Sequence, residues 1–180
     1  MQETAEILRK LEPVTSGGKF LNEVAVCVDY DSHWALRIKP VNDPEFNYLD
    51  YCGKIYHSLS EVGVNSDVIS YEHDFSQYKV VVLPAAFVLS VEMRDKLKEY
   101  VKQGGVLLST FLTSVKNPDN IGYTESLPAG LTDLFGTVVE EVEPIFEGNH
   151  NRIKIEDEGF TVISADDKWS ELLSENSQVI

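Results

Sequence analysis

Three short apolar runs constrain this chain more than any other feature: Val24-Ala25-Val26-Cys27-Val28, then Val80-Val81-Val82-Leu83 after Lys79, then Val106-Leu107-Leu108-Ser109-Thr110. A strand with one wet face alternates apolar and polar residues, whereas a strand covered on both faces reads as a continuous apolar run, as in parallel sheets. Parallel strands need crossovers, and the sequence between the runs supplies them. From Tyr48 onward Leu49, Cys52, Ile55, Tyr56, Leu59 and Val62 recur at three- and four-residue spacing, and Gly63 stands where a helix C-cap would. Ser90 is placed to N-cap a second helix running to about Gln103, with Val91, Leu97 and Val101 among its apolar positions and Gly104-Gly105 as its stop. Between the two helices, Val64 to Ser70 reads as a strand with some polar alternation, and Pro84 ends the run at Lys79 to Leu83.

The succession strand, helix, strand, strand, helix, strand predicts an α/β fold: an open, mainly parallel sheet with buried strands throughout. Right-handed crossovers narrow it to a flavodoxin-like strand order of 2-1-3-4 with helices in layers on both faces. A short helix from Glu3 to Leu11 precedes the sheet and is expected to break at the turn-rich stretch from Pro13 through Gly18. After Thr110 come a polar loop, a short helical Leu131-Thr132-Asp133-Leu134-Phe135 and a strand from Thr137 to Val142. Further on, Arg152-Ile153-Lys154-Ile155 and Phe160-Thr161-Val162-Ile163 alternate as antiparallel strands do, and Trp169 to Leu173 is expected to form one helical turn. The expected division is a linker helix over 1–19, the sheet domain over 20–144 and a β-rich extension over 145–180. Ser177-Gln178-Val179-Ile180 stops as if within a strand, which suggests a piece of a longer protein.

Composition removes several function classes. The chain of 180 residues fits one domain, and its 30 acidic against 15 basic residues give a net charge of −15. That charge opposes a phosphate backbone and an anionic membrane surface, so neither nucleic acid nor membrane is expected as a partner. No stretch approaches the roughly 20 apolar residues of a membrane span, and Met1-Gln2-Glu3-Thr4 does not open a signal peptide, so a cytoplasmic location is expected. Cys27 and Cys52 lie in core-like segments without metal-ligand spacing and are expected to act as small hydrophobes.

In parallel sheets ligands bind beyond the carboxyl ends of the strands, so chemistry should sit in the loops after Val28, Leu83 and Thr110. The first reads Asp29-Tyr30-Asp31-Ser32-His33-Trp34-Ala35-Leu36-Arg37, two carboxylates where a nucleotide binder needs a glycine cradle. A phosphoacceptor domain would need an aspartate where Leu83-Pro84 stands. An amidotransferase would need a cysteine elbow where the chain reads Ser109-Thr110-Phe111-Leu112-Thr113. None of His33, His57, His73 and His150 falls in a pattern that marks a base. An acid pair can be drawn from Asp29, Asp31, Glu125 or Asp133, but in so acidic a chain such a pair carries little information. His33 and His73 lack a third ligand at metal spacing, and no cofactor is implied. The candidates that remain, substrate-proximal or at an interface, are Asp29, Tyr30, Asp31, His33 and Trp34. With Phe46, Trp34 suits an interface anchor or a sugar-stacking platform, against the plainer alternative of packing over the sheet edge.

The stretch Val24-Ala25-Val26-Cys27-Val28-Asp29-Tyr30-Asp31-Ser32-His33-Trp34-Ala35-Leu36 resembles the opening of the trimerisation domain of glycoside hydrolase family 42 β-galactosidases. The similarity continues, in order, through Tyr48-Leu49-Asp50, the segment from Asp74 to Ala85, Tyr100-Val101-Lys102-Gln103-Gly104-Gly105, and Leu131-Thr132-Asp133-Leu134-Phe135-Gly136, covering roughly Glu23 to Pro144. The resemblance implies a flavodoxin-like fold related to class I glutamine amidotransferases without their nucleophile, and assembly of a homotrimer. It also implies retaining hydrolysis of terminal β-galactosides by two glutamates on a preceding (β/α)8 barrel, which needs about 250 residues and cannot lie within this chain. Relatives commonly carry two adjacent tryptophans where His33 precedes Trp34 here, and the segment from Asn120 to Gly130 departs from their glycine- and proline-rich loop. The residues alone leave open a self-contained amidotransferase-like enzyme, or a sugar-binding module stacking on Trp34.

Overall fold

The computed structural model describes residues 2–18, 20–41, 45–144, 153–157, 160–164 and 169–173, with side chains described over 4–18, 20–41 and 45–142. Strands β1 (Val24–Cys27), β2 (Ser66–Ile69), β3 (Val80–Leu83) and β4 (Val106–Ser109) pair in parallel in the order β2-β1-β3-β4, as expected. Val24 stands opposite both Ser66 and Val80, and Val80 opposite Val106, so residues at matching positions share a face across the sheet. Ala25, Cys27, Val81 and Leu83 face one core with Leu97 and Tyr100 of α4 (Val91–Lys102). Val26 and Val82 point the other way and are equally buried, and α3 (Tyr48–Glu61) packs against β1 and β2. The two central strands are therefore covered on both faces.

The edge strand β4 corrects the expectation of strands buried throughout. Leu107 packs on the core, but Val106 and Leu108 are 57% and 54% exposed. An edge strand has a single neighbour, and the helix on that face packs at β1 and β2. An apolar run marks a strand without saying whether both its faces find cover.

Helix ends follow local chemistry. Asn47 Oδ1 accepts from the Leu49 and Asp50 N–H groups at 3.1 and 3.4 Å to open α3, which closes before Gly63 at φ +80°. Ser90 Oγ accepts from Met93 N–H at 3.1 Å to open α4. The first helix, α1 (Gln2–Thr15), runs past Pro13 rather than breaking there. Pro13 sits in its last turn, where a missing N–H forfeits one hydrogen bond, and Ser16 N–H still reaches the Glu12 carbonyl at 2.7 Å. A larger correction falls on Tyr30–Ile38, expected as a loop and found as helix α2.

Beyond β4, α5 (Thr132–Phe135) ends at Gly136 in the left-handed region, and β5 (Val139–Pro144) follows. Strands β6 (Ile153–Asp157) and β7 (Phe160–Ser164) pair antiparallel, as their alternation predicts. The helical turn expected over Trp169–Leu173 is instead strand β8, antiparallel to β5. Here β5 offers partners for the backbone groups of these five residues, from Val139 opposite Leu173 to Pro144 opposite Trp169. His150 and Arg152 lie outside the described residues.

Candidate functional site

The strand order reverses between β1 and β3, so the carboxyl ends of these two strands mark the place where a parallel sheet binds ligands. Asp29 leaves β1 there. Its Oδ2 accepts from Ser32 N–H at 2.7 Å, and its own N–H donates to Tyr48 Oη at 3.0 Å. Asp29 is thus the N-cap of α2, which explains why a helix forms where strand-end loops were expected: an aspartate precedes an acidic first turn and an apolar Ala35-Leu36. Burial, more than the charge of Asp31, raises the carboxyl of Asp29 above its ordinary pKa, and the Ser32 hydrogen bonds oppose the rise.

The five candidates come together on the first turns of α2 but split between its faces. His33 turns inward, half-buried, with ring centroids 5.0 Å from Trp34 and 6.2 Å from Tyr48, and its Nδ1 is sealed without a hydrogen-bond partner. Tyr30, Asp31 and Trp34 face outward, and Arg37 holds its guanidinium 5.7 Å from the Trp34 ring centroid. Trp34 is half exposed.

At the end of β3 the backbone turns sharply. Ala85 has φ +37°, and after β4 Leu112 and Ser114 have φ +56° and +55°, conformations that L-residues adopt at a cost of about 1–3 kcal/mol each. Such turns in some enzymes present nucleophiles, but here the side chains are a methyl group, an isobutyl group, and a buried hydroxyl that donates to the Ala129 carbonyl at 2.8 Å. Thr110 Oγ1 accepts from Ala85 N–H at 2.8 Å and Ser32 Oγ from Val88 N–H at 2.9 Å, so the strand ends are tied to one another and to α2. Sequence reasoning missed these outliers because none of the three residues is glycine.

A cleft of about 390 Å³ opens over this region, bordered by Asp29, Asp31, Glu72 and Glu92 with Lys96 as its cation. Lys96 Nζ donates to the Tyr71 and His73 carbonyls and lies 4.1 Å from the Phe75 ring centroid. Four carboxylates around one committed ammonium oppose an anionic ligand. A second cleft of about 400 Å³ lies between α2 and the start of α3, beside His33, Arg37 and Tyr48. Burial pushes the Cys27 and Cys52 thiols up to about 12 and about 11, far from a reactive thiolate. Glu125 reaches Arg94 at 3.4 Å, and Asp133 sits in the first turn of α5. Among the described residues no three His, Cys, Asp or Glu side chains group as metal ligands, and no helix is long and apolar enough to cross a membrane.

These features define an open parallel α/β domain whose strand-end polar groups serve as caps and loop ties. The chain belongs to the family of β-galactosidase trimerisation domains, whose profile matches residues 22–179. It is 30% identical over 158 residues to β-galactosidase Pbg of Clostridium perfringens, covering 86% of this chain and 22% of that protein. It is also 30% identical over 174 residues to β-galactosidase BgaA of Clostridium cellulovorans, covering 95% of this chain and 26% of that protein. The chain thus spans about a quarter of the length of these relatives. Among solved structures, the β-galactosidase of Halorubrum lacusprofundi superposes with a TM-score of 0.84 at 28% identity, covering 98% of this chain and 26% of that one. That of Bacillus circulans sp. alkalophilus shares the fold, with a TM-score of 0.89 at 24% identity over 96% of this chain and 26% of that one.

Proposed function

We propose that this chain is the non-catalytic assembly domain of a cytoplasmic β-galactosidase that hydrolyses terminal β-D-galactosides as a homotrimer. Membership of the trimerisation family carries the proposal. The strand order and the helices against both cores favour a three-layer, flavodoxin-like domain over about 20–144, related to class I glutamine amidotransferases, with a linker before it and a β-rich extension over 145–180. The acid and nucleophile would belong to a barrel outside this chain, and the turn of Asp29, Tyr30, Asp31, His33 and Trp34 would serve contact, not bond breaking.

Two features support an assembly role over an amidotransferase-like enzyme. The Asp29 carboxylate is engaged by Ser32, and the strained turns carry Ala85 and Leu112 where a nucleophile would be needed. The test is turnover of a chromogenic β-galactoside by the 180-residue chain. No hydrolysis above the uncatalysed rate is expected; activity that co-purifies with the chain and scales with its concentration would overturn the proposal.

A further inference from the structure

We propose that the cleft across the carboxyl ends of the parallel strands binds a small organic cation through a primary ammonium group, a property separate from the assembly reading above. Each strand of the sheet sends a residue to this cleft: Glu72 follows β2, Asp29 follows β1, Ser90 follows β3 and Pro118 follows β4. Its volume of about 390 Å³ suits a small molecule, and it lies where the strand order reverses. Tyr71 supplies what acidic residues alone do not. It lines the cleft, and its hydroxyl is closed from solvent without a hydrogen-bond partner. The polar side chains around it are Tyr48, Asp29 and Ser32, and each is already engaged. Tyr48 Oη accepts from Asp29 N–H, Asp29 Oδ2 from Ser32 N–H, and Ser32 Oγ from Val88 N–H. Buried hydroxyls are ordinarily satisfied, so an unmet one in a cleft wall marks the place of a partner from outside the fold.

The lining selects the charge of that partner. Carboxylates of Asp29, Asp31, Glu72 and Glu92 border the cleft, while Lys96 commits its ammonium to the Tyr71 and His73 carbonyls. An anion is repelled there, and a metal ion finds no three grouped ligands among the described residues. A primary ammonium fits: it brings three N–H donors to carboxylates and a hydroxyl oxygen and demands no fixed coordination geometry. Burial holds the Tyr71 hydroxyl protonated, well above its ordinary pKa, which leaves its oxygen a neutral acceptor. The second cleft, beside His33, sets one Arg37 against one Glu45, so its lining selects no charge.

Calorimetric titration of butane-1,4-diamine into the 180-residue chain at physiological salt tests this. Magnesium chloride at equal ionic strength controls for diffuse attraction of a dication to an acidic protein. Saturable binding of the diamine with a Kd of about 1 mM or tighter is expected, and no saturable heat from magnesium. Tyr71→Phe keeps the ring and removes the acceptor, and Glu92→Gln removes an exposed charge; each should raise Kd at least about fivefold. Glu61→Gln, at the far end of α3, should leave it unchanged. Thermal melting by circular dichroism separates lost binding from lost fold, and Glu72→Gln replaces Tyr71→Phe if that variant melts early. Absence of saturable heat in the folded wild type, an equal response to magnesium, or a Kd unchanged by the substitutions in folded protein would overturn the site and leave the assembly reading intact.

Discussion

Ser32 joins two elements through one hydroxyl: it is fully buried in α2, and its Oγ accepts from Val88 N–H in the segment after β3. Ser32→Ala leaves that amide buried and unpaired, so a loss of about 1–3 kcal/mol in denaturant-induced unfolding is expected; an unchanged midpoint would contradict the contact. At Gly105 an added Cβ would overlap the Tyr100 ring, whose hydroxyl donates to the Tyr78 carbonyl at 3.2 Å. Gly105→Ala should therefore destabilise by about 1–3 kcal/mol by the same measurement, as overpacking does. Asp29 makes a pH prediction. Its pKa is raised on folding, so the folded chain holds that proton more tightly than the unfolded one, and the ionised carboxylate costs stability at neutral pH. Asp29→Asn keeps an N-cap and removes the titration. The stability of the wild type relative to this variant should be lowest at pH 7 and rise on acidification toward about pH 4. A difference that stays flat across that range would show the carboxylate to be unperturbed. Such residues divide by reach: Ser90 and Gly63 were legible as caps because their partners lie within a turn, whereas Ser32 and Arg94 act on Val88 and Glu125, far along the chain, and no local pattern announces either contact.

Among the elements, β1, β3, α3 and α4 were legible because period and cap agreed with one another. Helix α2 is not legible in this way, because an aspartate at a strand end reads as a charge as readily as it reads as a cap. The apolar run of β4 predicted the strand but not its open face, which depends on where helices of other segments lie. Trp169–Leu173 carries no local sign of a strand because its partner β5 is about thirty residues away in sequence. A cap is the most direct handle on an element. Ser90→Ala removes the acceptor of Met93 N–H at the start of α4 and should cost about 1 kcal/mol; a loss confined to a few tenths would mean that water or Glu92 replaces it.

For the whole molecule, the family and the parallel sheet were both readable from ordered motifs, since buried strands and their crossovers are encoded within some 90 residues, from Val24 to Ser109. The candidate site was readable as a list and not as an arrangement: Asp29 and His33 turn inward to cap and pack, while Tyr30 and Trp34 face outward with Ile38, which the sequence did not single out. A polar strand-end region tied into caps, beneath an exposed aromatic stripe on a chain of net charge −15, fits a domain that works by contact. The most direct measurement of that claim is the mass of the 180-residue chain in solution by light scattering across a concentration series. The account predicts a rise to three times the 20.2 kDa of one chain. A mass that stays at one chain, or that settles at two, would contradict it.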